Sequence, residues 1–391
     1  MGTETAKPPQ PEFEEIAHCG GKVEIKIAKQ PDGQFTYQVG FSNSRPNAAG
    51  LFAIYALAQG VPVASVALGG YGDRMDPPPL PGCYLVSIAS DSEGMFGHQC
   101  PRCKEYWRSR FQPIRCPYCA LTGEVYQFLT PAQLKYVEHF CDTLNKALGE
   151  GRAGEYVLDM DSVIDAATPA AERPPFYYSE TRQQFRIGCD RCGQTDDILG
   201  RYGFCSLCAT RNDVQILESE IVPRLRDRIN AGGPWEDYVK DAVAAFDSLA
   251  GRYRDQLVRL VPLTPSRKYR IERMLFHNLD EVFKTFEQVF DINILAGISD
   301  EDRRFALRMF HRRHVYEHKG GEADEKYIAD SGDTSVRPKQ FLRETQETVH
   351  RLVSLIVAMS RNLHRGFHEI FPPHEQPIAS HAETLKRMNT R

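Results

Sequence analysis

Hydrophobic and polar residues follow two different periods in the two parts of this chain. Near the start, Lys22–Lys29 alternates valine and isoleucine with charged residues, which is typical of a half-buried strand. A Pro-Asp-Gly turn at 31–33 and a second alternating stretch at 35–41 then predict a β-hairpin. The apolar run at 48–59 predicts a short helix, and the runs at 61–68 and 83–89 predict two more strands.

These elements predict a small α+β module over residues 13–95, preceded by a flexible N-terminus at 1–12. Farther along, Thr130-Pro131-Ala132-Gln133 combines an N-cap, a proline at the first helical position and a capping glutamine. We therefore expect a helix over 131–148. The Ala- and Pro-rich composition that follows predicts a linker at 151–180.

From residue 216 onward the apolar residues recur every three or four positions, which is the period of a helix. Four such stripes with mostly short connections predict an all-α up-and-down bundle over residues 216–371, followed by a flexible tail at 372–391. The stripes are Trp235, Tyr238, Val239, Ala242, Phe246, Leu249, Tyr253 and Leu257; Ile271, Met274, Leu275, Val282, Phe283, Phe286 and Phe290; Phe305 and Met309; and Phe341, Val349, Leu352, Ile356, Met359 and Leu363.

Eight of the 11 cysteines form four C-x2-C pairs, and the pairs repeat one spacing, C-x2-C-x12-C-x2-C, twice. Four thiolates around one ion favour tetrahedral zinc, and they leave no coordination position open for activated water. The sequence thus predicts two structural zinc ions in two zinc ribbons, the first with its helix at 96–150 and the second at 181–215. The predicted ligands are Cys100, Cys103, Cys116 and Cys119 in the first, and Cys189, Cys192, Cys205 and Cys208 in the second.

The totals fit a multidomain α+β protein of two or three domains. The chain has 391 residues, 41% of them hydrophobic, and a formal net charge of -4. This charge argues against a uniformly basic nucleic-acid coat but does not exclude a local basic patch. No apolar signal segment opens the chain, and no apolar run is long enough for a bilayer. Together with paired cysteines, which indicate metal in a reducing compartment, this predicts a cytoplasmic protein without membrane contact.

The first ribbon interleaves basic and aromatic residues, a pattern that suits stacking on single-stranded nucleic acid. Trp107 and Arg108 are therefore candidate nucleic-acid contacts. The alternative for Trp107 is packing in the small core that a ribbon otherwise lacks. The sequence leaves open whether the ribbons bind nucleic acid, bind protein or only stabilise the fold.

The third predicted helix carries the densest chemistry, with His311, Arg312, Arg313, His314 and His318 within eight residues. Its expected N-cap is Ser299, and the Gly320-Gly321 pair is its expected stop. Five cationic or imidazole side chains at the C-terminal end suit the helix dipole, but amphipathicity alone does not require them.

Arg313-x4-His318, with the polar His314 directly after the arginine, resembles the signature of the HEPN superfamily of helical RNases. The pair falls late in the third helix with a fourth helix after it, as the resemblance requires. Arg312 also satisfies the spacing to His318, so either arginine can be the motif arginine. The resemblance covers residues 216–371 and does not extend to the ribbons.

The resemblance implies a metal-independent endoribonuclease whose composite site forms between two copies of the bundle. RNA supplies its own nucleophile, the 2′-hydroxyl. His318 would transfer the proton, Arg313 would bind the phosphate, and His314 would orient or assist. Arg308 and Arg312 are further candidates for RNA contact. The implied partners are RNA, a second copy of the chain, and a protein or nucleic-acid trigger; by analogy, a toxin or antiviral defence role follows.

Two alternatives remain open at this stage. Arg313 and His318 are separated by ~140° on an ideal helix, whereas His311, His314 and His318 share a face and could bind a third metal ion. The other class of function is a non-catalytic zinc-ribbon protein, an adaptor or nucleic-acid binder that dimerises through its bundle.

Overall fold

The computed structural model describes Phe13 and residues 15–18, 22–42, 50–66, 77–149, 152–159, 178–274, 276 and 278–389. The fold is mixed α+β, and the chain forms two compact units. Unit 1 consists of Met1–Ala209 and His374–Arg391, and unit 2 of Thr210–Pro373. Among the described helices, none is both long enough and apolar enough to cross a membrane.

The described strands of unit 1 are β1 Glu15–His18, β2 Lys22–Lys29, β3 Phe35–Ser42, β4 Leu51–Leu57, β5 Pro62–Val66, β6 Cys83–Ala89, β7 Phe96–Gln99, β8 Tyr106–Ser109, β9 Gly154–Asp159, β10 Tyr178–Thr181, β11 Phe185–Gly188 and β12 Thr195–Ile198. These strands form four antiparallel sheets, ordered β1-β10, β3-β2-β9, β5-β4-β6 and β11-β12-β8-β7.

The local strand predictions succeed where turn chemistry supports them. β2 and β3 form the expected hairpin, with Gly33 in the left-handed conformation at its turn. The predicted helix at 48–59 is wrong, because residues 51–57 form β4, the central strand of its sheet. Side chains on both faces of β4 are buried, so its sequence is a continuous apolar run, which periodicity alone cannot distinguish from a buried helix.

The core of unit 1 extends beyond the predicted module at 13–95. Helix α1 (Pro131–Gly149) begins at the expected cap, where Thr130 and Gln133 exchange hydrogen bonds. Its apolar face packs into one cluster with residues from β2, β4, β6 and β9. Parts of the predicted linker are strands, since β9 pairs with β2 and β10 pairs with β1. Residues 160–177 of that linker, and the predicted flexible start at 1–12, lie outside the described residues.

The two cysteine-rich segments do not form separate domains. β7 and β8 belong to the first segment and β11 and β12 to the second, and β12 pairs with β8 through Asp196–Ser109 and Asp197–Arg108. One four-stranded sheet therefore carries both groups of cysteines.

The described residues of unit 2 are mainly helical. The helices are α2 Asp213–Ile216, continued by a π-helical segment Leu217–Ile221 into α3 Val222–Asn230, then α4 Trp235–Leu260, α5 Pro265–Glu272, α6 Leu279–Phe290, α7 Asp300–His318, α8 Glu325–Ser331 and α9 Gln346–Ile370. The three long helices, α4, α7 and α9, pack against one another, and Phe246 of α4 meets Phe310 of α7 edge-on at 5.9 Å.

Two of the four predicted helices differ from the structure. The second is divided into α5 and α6, because the Asn278 side chain accepts a hydrogen bond from the Glu281 N–H and starts a new helix. Leu275, one of its predicted stripe residues, lies outside the described residues. The fourth begins at Gln346 instead of Phe341, since Thr345 and Thr348 form the N-terminal cap.

The predicted flexible tail at 372–391 is wrong. Residues Glu375–Asn389 form helix α10, which belongs to unit 1. Ile378 packs against the second cysteine group, and the His374 N–H donates to the Cys208 carbonyl at 2.8 Å. The contact of Ile378 joins this helix to the folded cysteine segment, far from it in the sequence.

Candidate functional site

The eight paired cysteines come together as two groups of four. In each group the sulfur atoms all lie within 4.8 Å of one another. Cys100 and Cys119 are 3.5 Å apart and Cys103 and Cys116 are 3.7 Å apart, measured between Sγ atoms. The second group repeats these separations, at 3.7 Å and 3.5 Å.

These separations fit a metal ion at the centre of each group. A tetrahedral ion with metal–sulfur bonds of about 2.3 Å places its sulfur ligands about 3.8 Å apart. Four thiolates complete the tetrahedron, so each group suits a structural ion without an open coordination position. Burial raises the pKa of the Cys103 thiol to about 11, so a bound cation must displace a proton there.

The backbone forms the same turn at all four C-x2-C pairs. After each pair, the N–H of the next residue donates to the carbonyl of the first cysteine, and that residue adopts a positive φ. The four residues are Lys104, Ala120, Gly193 and Ala209. Three of them are not glycine, although a left-handed conformation is unfavourable for side chains with a Cβ. The repeated turn directs both sulfur atoms of a pair to one point.

The nucleic-acid contacts predicted for the first cysteine-rich segment are buried. Trp107 has 0% exposure and packs with three cysteines of the first group, edge-on to Phe128 at 5.4 Å. Arg108 also has 0% exposure and binds Asp91 and Asp197, at 2.6 and 2.9 Å, and Glu93 at 3.0 Å. The prediction that Trp107 and Arg108 contact nucleic acid is therefore wrong; both hold the cysteine sheet together.

In unit 2, Arg312 occupies a closed ion-pair network. Its guanidinium binds Asp333 at 2.8 Å, Glu344 at 3.0 Å and the Tyr327 hydroxyl at 3.1 Å. Both carboxylate side chains have 0% exposure. Although burial opposes it, hydrogen bonds from Ser335, Tyr327 and Arg312 hold the pKa of Asp333 well below its usual range. Arg312 is therefore committed to these buried carboxylates, and its predicted contact with RNA stays a prediction that this network does not support.

Arg313 lies in a different environment at the C-terminal end of α7. Its Nη2 atom is 2.9 Å from the Oε2 atom of Glu317, and the Nε2 atom of His318 is 3.8 Å from the same oxygen. The His318 side chain is 55% exposed and that of Arg313 is 20% exposed. Arg313 and His318 are ~140° apart on an ideal helix, and both lie within 4.0 Å of one carboxylate oxygen.

The other predicted residues of α7 lie near this pair or along the same helix. His314 is exposed, and its ring lies 4.7 Å from that of His318. Arg308 is half-buried and stacks on Phe305 at 5.7 Å. In the described part of the chain, only the two cysteine groups bring three or more His, Cys, Asp or Glu ligand atoms within 4.8 Å of one another. The three histidines of α7 therefore do not form a metal site in this structure.

Two acidic residues of this region were not predicted from the sequence. Glu317 lies inside the R-x4-H motif, where only the spacing of the outer residues was considered. Asp247 lies on α4, and its half-buried carboxyl interacts electrostatically with Arg313 and Glu317. Nothing in the pattern around Asp247 marks it, because its position near α7 depends on helix packing.

Comparison with protein-family models, with curated proteins and with solved structures finds no match to this chain.

Proposed function

We propose that this chain is a metal-independent endoribonuclease of the HEPN type. The observation that carries the proposal is the shared oxygen of Glu317, which lies within 4 Å of both Arg313 and His318. A carboxylate oxygen here is an internal substitute for a phosphate oxygen. It indicates that one anionic group can contact the guanidinium and the imidazole together. Because Arg312 is committed to Asp333 and Glu344, Arg313 is the motif arginine in this proposal.

The proposed reaction follows from these two groups and from RNA itself. A base removes the proton of the 2′-hydroxyl, the 2′-oxygen attacks the phosphorus, and the bond to the 5′-oxygen breaks. An acid protonates that leaving oxygen, so the products carry a 2′,3′-cyclic phosphate and a 5′-hydroxyl. A histidine suits proton transfer near neutral pH, and an arginine stabilises the charge that develops on the phosphate.

A single histidine cannot be deprotonated to accept the 2′-hydroxyl proton and at the same time protonated to supply a proton to the leaving 5′-oxygen. We therefore propose a homodimer in which two copies of α7 line one cleft and each copy supplies its Arg313 and His318. His314, whose ring contacts His318, is the second imidazole available within one copy. Arg308, one and a half turns before Arg313 on the same helix, would extend the basic surface for RNA.

For the cysteine groups we propose zinc, one ion in each ribbon. Two sets of four sulfur atoms at separations of 3.5 to 3.7 Å support this choice. Metal analysis of the purified chain should give two zinc ions per chain, one for each four-cysteine group. A content near zero would contradict the assignment, and a content near three would show that a third site exists.

The decisive experiment compares RNA cleavage by the wild-type chain with cleavage by two variants. Arg313→Ala and His318→Ala should each lower the rate by ~10²-fold or more, without added magnesium. Arg304→Ala, which removes an exposed arginine of the same helix, is the matched control and should cleave normally. RNA with deoxyribose at the scissile position should bind but stay intact. Cutting of that substrate at the same position would refute the mechanism.

A second candidate function is nucleic-acid binding without catalysis, and one exposed contact supports it. The Arg110 guanidinium lies 5.6 Å from the centre of the Phe111 ring, and both residues are exposed beside the first cysteine group. Such a pair can stack on a base. If the wild-type chain binds RNA without cutting it, and Phe111→Ala weakens binding, this candidate replaces the first.

The cytoplasmic location and the role as a toxin or antiviral effector are also part of the proposal. They follow from the paired cysteines and from the family resemblance, respectively. Expression of the wild-type chain should inhibit host growth more than expression of the His318→Ala variant. Equal growth would argue against a toxin.

A further inference from the structure

Asp247 lies beside the proposed site, on the neighbouring helix α4. Its neighbour Phe246 meets Phe310 of α7 edge-on, and Arg313 and Glu317 follow Phe310 by about one and two turns on the same side of α7. The Asp247 carboxyl lies close enough to this side of α7 to interact electrostatically with both Arg313 and Glu317.

The Oδ1 atom of Asp247 is buried and, within the described residues, has no hydrogen-bond partner. A buried carboxylate oxygen without a partner is unfavourable, and such groups occur where a ligand or a reaction requires them. Burial raises the pKa of Asp247 to about 6, Arg313 acts in the opposite direction, and Glu317 adds to the rise. The charged form of Asp247 thus lowers the stability of the free protein, and the positive charge of Arg313 offsets only part of this loss.

Arg313 also has unused hydrogen-bonding capacity. Within the described part of the chain, Glu317 is its one ion-pair partner, through Nη2. A guanidinium has five N–H donors arranged in a planar fork, so one edge can bind a phosphate while the other binds a carboxylate. Glu317 and a phosphate would compete for one edge. The other edge would then be available to the Asp247 carboxyl, which interacts electrostatically with Arg313.

We propose that Asp247 is a positioning residue, which holds Arg313 in place when the RNA phosphate displaces Glu317. This inference rests on the proposed function and deepens it. In the free protein the Oδ1 atom of Asp247 lacks a partner among the residues that the structure describes, and in the complex it would gain one. The interaction would therefore be stronger with substrate bound, which is the condition for a contribution to binding and catalysis. Asp247 would bind the arginine and not the RNA, since its Oδ1 atom is buried.

The test uses Asp247→Asn, which keeps the shape and removes the charge, in the full-length chain. We expect kcat/KM for RNA to fall roughly 10-fold or more, a usual loss for a residue that orients another. The melting temperature at pH 7.5 should stay the same or rise, because a buried charge without a partner is gone. A residue that only supports the fold would lose stability and activity together. Asp255→Asn, an exposed carboxylate on the same helix, is the matched control and should change neither.

The coupling to Arg313 is tested by a double variant. If Asp247 acts through Arg313, then Asp247→Asn combined with Arg313→Ala should cleave no more slowly than Arg313→Ala alone. Two results would overturn this inference and leave the proposed function intact. One is that Asp247→Asn cleaves RNA at the wild-type rate. The other is that the double variant is slower than Arg313→Ala by the same factor by which Asp247→Asn is slower than wild type.

A binding measurement separates the two proposals if the wild-type chain does not cleave RNA. Affinity for an oligonucleotide with deoxyribose at the scissile position is measured by fluorescence anisotropy. If Asp247→Asn weakens binding in the presence of Arg313 but has no effect in the Arg313→Ala background, the positioning role is supported while the nuclease proposal fails. Unchanged binding overturns the positioning role as well.

Discussion

Arg312 and Arg313 are adjacent in sequence, but their environments in α7 are opposite. Arg312 has two fully buried carboxylates and a tyrosine hydroxyl around it, all within 3.1 Å. Arg313 has one partly exposed glutamate, a histidine that lies near the same glutamate, and a buried aspartate oxygen that has no hydrogen-bond partner in the described part of the chain. The first arrangement satisfies every partner and holds the fold. The second leaves capacity for an anionic ligand.

Unit 1 repeats the first arrangement around Arg108. That arginine also has 0% exposure and three carboxylate partners, Asp91, Glu93 and Asp197. The acidic partners of an arginine therefore distinguish a structural residue from a candidate nucleic-acid contact more reliably than its spacing in the sequence does. An arginine surrounded by buried carboxylates is structural, and an arginine with few such partners is a candidate for function.

The largest expected effect is the loss of stability on replacing Arg312, the arginine with two buried carboxylate partners. Arg312→Ala would leave Asp333 and Glu344 buried without a cation, which should lower the free energy of unfolding by about 3–5 kcal/mol. Denaturant unfolding measures this loss. Arg313→Ala, the neighbouring control, should change the free energy of unfolding by about 1 kcal/mol or less, the value of an exposed pair. Equal losses of stability in the two variants would show that Arg312 and Arg313 do not differ in their contribution to the fold.

A smaller effect is expected when Arg313 keeps its charge but loses its fork. Arg313→Lys should remain roughly 10-fold or more below wild type in kcat/KM, because an ammonium cannot bind Asp247 and a phosphate on two planar edges. Steady-state cleavage of a short RNA provides the measurement. Full activity of the lysine variant would mean that the site needs only a point charge.

The two sides of α7 should also differ in their response to pH. The pKa of Asp247 rises from 3.8 to about 6 on folding, so its cost to stability is absent below pH 4 and complete above pH 6. Asp333 has the opposite shift, so its contribution is present above its unfolded pKa of 3.8 and is lost only as the pH falls through its lower folded value.

Unfolding measured from pH 4 to pH 7 checks this difference. The stability of Asp247→Asn relative to wild type should increase between pH 4 and 6 and then stay constant. A difference that does not change with pH over this range would show that Asp247 is not charged and unpaired in the folded protein.

The smallest effect is expected at Glu317. Its pair with Arg313 is an i, i+4 pair at the surface, so Glu317→Gln should lower stability by only about 0.3–0.5 kcal/mol. Loss of the competing carboxylate should tighten RNA binding by roughly two-fold, the same free energy expressed as affinity. Anisotropy with the deoxy-substituted oligonucleotide measures it. Weaker binding would indicate that Glu317 supports the site instead of competing for it.

The sequence predicted the features that depend on neighbouring residues. Ser299 caps α7 by accepting from the Asp302 N–H, and the cysteine spacing predicted both four-sulfur groups. Features that depend on distant partners were missed. The sheet that buries β4, the surface that receives α10 and the packing that brings Asp247 to Arg313 all join residues far apart in the chain. Arg312 and Arg313 could not be distinguished for the same reason, since the carboxylates that separate them lie at positions 333 and 344.

The hydrogen bond from His374 to Cys208 has a consequence for how the protein is made. Thr210–Pro373 interrupts unit 1, and the chain leaves and re-enters that unit at one place beside the second cysteine group. During translation α10 emerges after Thr210–Pro373, so the second cysteine group gains the contact with Ile378 only after the whole helical unit has been synthesised. A premature stop anywhere in the helical unit would therefore leave this distant cysteine group without that contact.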